Sequence, residues 1–153
     1  LGPVQTGMPL PSFAGWDLNG NQLRWKHFIA DAPEPNQGAI ISVFASWCGP
    51  CKVGLKSIDA VVKRNPGVRL LLVNLKEDQS TATRFLDRLG IQAPTILDQY
   101  GKVSERMGVN RELPRTFLID ADGRVQHIYT VEGSDFEAVL EQDIRALASS
   151  PGE

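Results

Sequence analysis

Apolar and polar positions along this chain switch between two periods, and each switch marks an element. Ala39–Ala45 is nearly unbroken apolar and β-branched sequence, the composition of a strand covered on both faces. From Cys51 to about Arg64 the apolar positions fall at Val53, Leu55, Ile58, Val61 and Val62, a helical spacing stopped by Asn65-Pro66-Gly67. Val68–Leu75 repeats the buried-strand pattern. Strand, helix and strand in that order form a βαβ unit with parallel strands. Upstream, three prolines among the first eleven residues keep the entry segment Gly7–Phe13 extended. Phe13–Leu18 and Gln22–Trp25 then flank Asn19-Gly20 as a hairpin, followed by a short turn at Lys26–Phe28 and an exposed loop from Asp31 to Gly38.

Downstream, Ser80 caps a helix whose apolar face is Phe85, Leu86 and Leu89, closed by Gly90. Pro94–Leu97 is extended and Gly101–Met107 a short helix. Arg115–Asp120 and Arg124–Thr130 form a second hairpin about Ala121-Asp122-Gly123. Ser134-Asp135-Phe136-Glu137 is a capping box opening a helix to about Ser149, with Phe136, Val139, Leu140, Ile144 and Leu147 inward. This order predicts an α/β fold, a three-layer α/β/α sandwich whose mixed sheet is parallel at the centre and antiparallel at one edge. The expected organisation is a single domain over 1–153, with a hairpin extension at about 7–28 and a core at about 39–149.

Composition narrows the function. At 153 residues, 42% hydrophobic and 22% charged, the chain can bury one sizeable core. A net charge of −2 argues against nucleic acid or an anionic membrane surface as partner. No apolar run approaches the ~20 residues of a membrane-spanning helix. The start at Leu1 rather than Met is read as removal of an upstream piece, a membrane tether among the candidates.

The two cysteines, Cys48 and Cys51, sit three positions apart. A bridge across two residues removes little chain entropy, so stabilisation is a poor reason for the pair. The first follows the buried strand and the second opens the helix. A helix N-terminus offers unpaired N–H groups and partial positive charge, both of which favour thiolate over thiol. Zinc would need two further ligands, and only His27 and His127 remain, neither at a suitable spacing. The pair is therefore read as redox-active, with no metal and no bound cofactor.

Trp47-Cys48-Gly49-Pro50-Cys51 is identical to the active-site pentapeptide of thioredoxin. The chain from about Gly7 to Leu147 resembles the TlpA/ResA-like branch of thioredoxin-fold proteins, which are tethered or exported outside the bacterial cytoplasm. Three stretches carry this: the opener Gly7–Phe13 with its hairpin, Phe44-Ala45-Ser46-Trp47-Cys48, and Leu113–Asp120 followed by Asp122-Gly123. The resemblance implies a thiol:disulfide oxidoreductase with Cys48 as exposed nucleophile and Cys51 as buried resolving thiol. It implies a cis-Pro114 facing the disulfide and a Leu113 backbone that pairs with substrate, Pro94 being the weaker cis candidate. Gly49-Pro50 is the pair found in reducing members, which points to reduction of protein disulfides with a partner dithiol as electron donor. Extracytoplasmic location follows from the same resemblance.

Three positions depart from the pattern. Gly54 stands where many members carry Glu, Lys56 where a helix-kinking proline is common, and Ser42 where thioredoxin buries Asp. No side chain is thereby nominated to deprotonate Cys51, and a water ordered by Ser42 is the nearest substitute. Trp47 is read as shielding the site or contacting substrate, Trp16 and Trp25 as hairpin packing, and Arg115 and Lys52 as surface cations. Lys76-Glu77-Asp78 reads as a solvated loop. Two other functions are weighed: a binding module without turnover, and a thiol peroxidase, which wants Thr where Ala45 stands.

Overall fold

The computed structural model describes residues 3–148. A hairpin of β1 (Ala14–Trp16) and β2 (Gln22–Arg24) leads into helix α1 (Trp25–Ala30). The core follows as β3 (Gly38–Phe44), α2 (Gly49–Arg64), β4 (Val68–Leu75), α3 (Gln79–Leu89), β5 (Thr95–Asp98), α4 (Lys102–Arg106), β6 (Arg115–Ile119), β7 (Val125–Tyr129) and α5 (Phe136–Ala148). The five core strands lie in the order β5-β4-β3-β6-β7. β3, β4 and β5 run parallel, and β6 and β7 complete the sheet antiparallel. The mixed sheet with one antiparallel edge is thus as the sequence order predicts.

Strand alternation divides the core in two. Ala39, Ile41 and Val43 of β3 pack with Leu10, Phe13, α1 (Trp25, Phe28) and α4 (Val103) on one face. Ile40 and Phe44 pack on the other with Cys48, Cys51 and Leu55 of α2, Phe85 of α3 and Leu140 of α5. β3 is buried along its whole length because both layers cover it. The N-terminal extension reaches both edges of the main sheet, through bridges Pro9–Arg124 and Asp17–Ile96. Trp25 stacks between Phe13 and Phe28, anchoring this extension, whereas Trp16 is exposed rather than packed in the hairpin.

Local signals were misplaced at several ends. The helix of the βαβ unit begins at Gly49, two residues before Cys51, and Val53 on its apolar list is exposed. The turn at Lys26–Phe28 is part of α1. Asp78, not Ser80, caps α3, its carboxylate accepting Thr81 N–H at 2.8 Å, while Gly90 ends the helix in the left-handed region as expected. α5 starts at Phe136, the Asp135 carbonyl accepting from Val139, and Glu137 pairs with Arg64 of α2 at 3.2 Å instead of closing a capping box. Its expected end near Ser149 lies outside the described residues.

One buried carboxylate shapes the sheet's rim. Asp98, at the end of β5, accepts N–H bonds from Val103 (3.1 Å) and Ser104 (2.7 Å) and the Ser104 hydroxyl at 2.7 Å. It thereby satisfies the open N-terminus of α4, which is too short to hold its own turn. Asp98→Ala leaves these buried donors unpaired, an expected loss of about 3 kcal/mol in urea unfolding. A loss below about 0.5 kcal/mol would show that α4 does not depend on this carboxylate.

Candidate active site

The site is built where β3 ends and α2 begins. Cys48 is the N-cap residue of α2, in extended backbone conformation, and Pro50 follows inside the first turn, where a missing N–H costs nothing. Cys51 N–H closes that turn on the Cys48 carbonyl at 3.1 Å. The first turn carries no acidic residue, so no carboxylate opposes an anion at this helix terminus. Cys48 and Cys51 form a disulfide with their Cα atoms 5.4 Å apart. In this state Cys48 is 4% exposed and Cys51 1%. The expected exposed nucleophile is therefore covered in the disulfide form. Trp47, 62% exposed, stands beside it.

Gly49 is exposed, with no heavy atom close to where a side chain would project. The Leu113–Pro114 peptide is cis, as is the Glu34–Pro35 bond of the exposed loop, which no sequence signal had indicated. Pro114 directly precedes β6, whose first residue, Arg115, is in register with Val43 near the end of β3. That register brings Leu113 and Pro114 to the end of the sheet from which the Cys48 loop departs. Leu113 packs against the cluster containing both cysteines. Arg115 is half-buried, its Nε shielded and without a hydrogen-bond partner among the described residues, so it is not the fully solvated cation expected.

Beneath α2 a polar seam crosses an otherwise apolar layer. Ser42 and Thr116, register partners on β3 and β6, join their hydroxyls at 2.8 Å. Thr116 then donates to Glu132 Oε2 at 2.6 Å. Glu132 lies in the β7–α5 connection with its carboxyl end turned toward α2. A Cβ placed on Gly54 would collide with its Oε1, so the glycine is the cradle into which this carboxyl fits. A second acid holds the loop leading to Cys48. Glu77 accepts the Ser46 N–H at 2.8 Å and the Ser46 hydroxyl, and is itself held by Asn74 Nδ2 at 2.9 Å.

The Redoxin family profile matches residues 5–144. Thiol-disulfide oxidoreductase ResA of Geobacillus thermodenitrificans is 30% identical over 129 residues, 83% of this chain and 70% of that protein. ResA of Bacillus subtilis is 26% identical over 98% of this chain and 79% of its own length. A solved Chlorobium tepidum structure, assigned as a thiol:disulfide interchange protein DsbE, superposes with a TM-score of 0.81 at 25% identity, covering 94% of this chain and 98% of that one. This chain is a ResA-like thiol-disulfide oxidoreductase of the Redoxin family.

For a ResA-like protein the two acids are the residues that sequence reading missed. The Lys76-Glu77-Asp78 run was expected to be solvated, yet Glu77 clamps the active-site loop and Asp78 caps a helix. Glu132 follows the exposed Val131 in a polar connection and gave no signal of its own. The one hint was Gly54, a glycine in a helix interior, where it costs about 1 kcal/mol relative to Ala unless something needs the space.

Burial raises the Glu132 pKa from its ordinary 4.5 to about 7, partly offset by the Thr116 hydrogen bond. The folded carboxyl holds its proton to about pH 7, whereas in the unfolded chain it releases it near 4.5. Folding therefore takes up a proton between these values. This contribution is fullest below the lower value and is lost as pH rises through the upper one. Glu132→Gln, a neutral isostere, is expected to be on the order of 1–3 kcal/mol more stable than the parent at pH 8 and about equal at pH 5, by urea unfolding of the disulfide form. Equal stability at pH 8 would mean the carboxyl is not buried at a cost.

Proposed function

We propose that the protein reduces disulfides of protein substrates outside the cytoplasm, with Cys48 as nucleophile and Cys51 as resolving thiol. The observation that carries this reading is Cys48 at the N-cap of α2 with Cys51 one turn along the same helix. An ordinary thiol of pKa ~8.5 is only a few per cent thiolate at pH 7, and lowering it to ~7 makes about half reactive. That takes about 2 kcal/mol, of which the helix terminus contributes ~0.3–1, rising to ~2 when partly buried.

The Cys48 thiolate attacks a substrate disulfide, and one substrate sulfur leaves as thiolate and takes a proton. Cys51 then attacks the Cys48 sulfur of the mixed disulfide, forming the Cys48–Cys51 bond and releasing the second substrate thiol. The substrate gains two electrons and the enzyme pair loses them; a partner dithiol restores it. Trp47, Leu113 and Pro114 would form the face that meets the substrate: an exposed aromatic ring, and a backbone next to a proline that keeps its neighbours free to pair. Gly49 and Pro50 support the turn. Location outside the cytoplasm rests on the resemblance of Gly7–Phe13, Phe44–Cys48 and Leu113–Asp120 to the exported TlpA/ResA-like branch.

Insulin reduction with dithiothreitol is expected for the parent and absent in Cys48→Ser. Cys51→Ser should instead accumulate a mixed disulfide through Cys48, visible as an adduct on non-reducing electrophoresis. Undiminished turnover in Cys48→Ser would overturn the nucleophile assignment. A partner bound equally well by the variant lacking both cysteines would favour a binding module without turnover.

A further inference from the structure

We propose that Glu132 is the proton acceptor for Cys51 in the resolving step, reaching it from the β7–α5 connection through the space that Gly54 leaves open in α2. The proposal rests on the oxidoreductase reading above and adds to it the group that makes the second thiol reactive.

The geometry is that of a carboxyl delivered to a helix face from outside the helix. Gly54 lies three residues after Cys51 in α2, and side chains so spaced are neighbours, with Cβ atoms about 5–6 Å apart. Glu132 Oε1 occupies the place of a Gly54 Cβ. By that spacing an oxygen there is about 5–6 Å from the Cys51 Cβ, on the same face of α2. The other oxygen, Oε2, is fixed by Thr116, whose hydroxyl is in turn joined to Ser42. Two strands thus aim the carboxyl, and its free edge faces the helix that carries the disulfide.

Among the described residues, no charged side chain contributes to the shifted acidity of this carboxyl. α2 presents Gly54, three residues after Cys51; β6 presents Thr116; β3 presents Ser42 behind it. Burial and the Thr116 hydrogen bond are the two causes of its altered acidity, with no ionised side chain among them. A carboxyl half-ionised near neutrality is matched to a thiol that must lose its proton at that pH.

The step balances as follows. In the mixed disulfide, the Cys51 S–H proton passes to Glu132 carboxylate. The Cys51 electron pair attacks the Cys48 sulfur, the Cys48–Cys51 bond forms, and the bond from Cys48 to substrate breaks. The departing substrate thiolate takes up a proton, and Glu132 returns its own to solvent or to that thiolate. Two enzyme thiols are oxidised and one substrate disulfide is reduced.

The test is the resolving step measured alone. Cys48 is loaded as a mixed disulfide with the chromophoric thiol 5-thio-2-nitrobenzoate, and its release by Cys51 is followed by stopped flow across pH 5–9. The parent should show a rate inflection near pH 7 that Glu132→Gln lacks, with release about 10²-fold slower at pH 7. Alkylation of Cys48 in a Cys51→Ser background should change less than ~2-fold on adding Glu132→Gln, since that reaction does not use the carboxyl. An unchanged release rate and pH profile in Glu132→Gln, with insulin reduction by the parent intact, overturns the assignment and leaves the oxidoreductase reading standing. Absence of insulin reduction by the parent removes both. Carboxyl-carbon NMR of the parent gives a check that needs no variant. The Glu132 titration should move between the disulfide and dithiol forms, because two groups exchanging a proton titrate as a pair. An identical titration in both forms also overturns the proposal.

Discussion

The junction between β3 and α2 is the constraint on which everything else depends. A strand buried on both faces cannot wander, so its last residue fixes where the next segment starts. α2 then begins within five residues, and Cys48 is left at its open end with Cys51 in the first turn. The unpaired N–H groups and partial positive charge of a helix N-terminus lie at the end where Cys48 sits. The rest of the molecule keeps this junction in place. α3 and α5 pack on the same face as α2, and Arg64 and Asn65 at its far end bond to Glu141 of α5 at 2.9 and 2.8 Å. Glu77 holds the loop at Ser46.

Against this stands the cost of polarity in the same layer. Alternation puts Ser42, Asn74 and Thr116 on the face packed by α2, where their neighbours are Ile40, Phe44, Leu72 and Leu118. A hydroxyl pair satisfies itself in such a place, but a carboxyl does not, and Glu132 keeps its proton well above the usual carboxylate range as a result. Buried acids with shifted acidity are found where chemistry needs them more than stability does. The glycine at 54 belongs to the same arrangement: it weakens the helix locally and admits the carboxyl.

What could be read from the sequence followed locality. The strands of the βαβ unit, the cysteine pair and the proline before β6 are written in short contiguous patterns. β4 matches its expected Val68–Leu75 to the residue because both its ends are punctuated. Cap positions slipped by a residue or two, as for Asp78 against Ser80, since several adjacent polar residues can each serve. Glu77 and Glu132 were illegible for a different reason. Each is a charged residue in a polar connection, where solvation is the ordinary outcome, and its role exists only through a partner far along the chain. Nothing in the local pattern separates such an acid from its solvated neighbours. Only an absence, the missing side chain at Gly54, marked the place where one was needed.

The central claim is that a helix terminus makes the Cys48 sulfur an anion near neutrality. Titration of the reduced protein by the ultraviolet absorbance of the thiolate, with Cys51→Ser to isolate one sulfur, measures it directly. The account predicts ionisation about 1–2 pH units below the ~8.5 of a free cysteine. A Cys48 thiol that ionises at the free-cysteine value or above would contradict it.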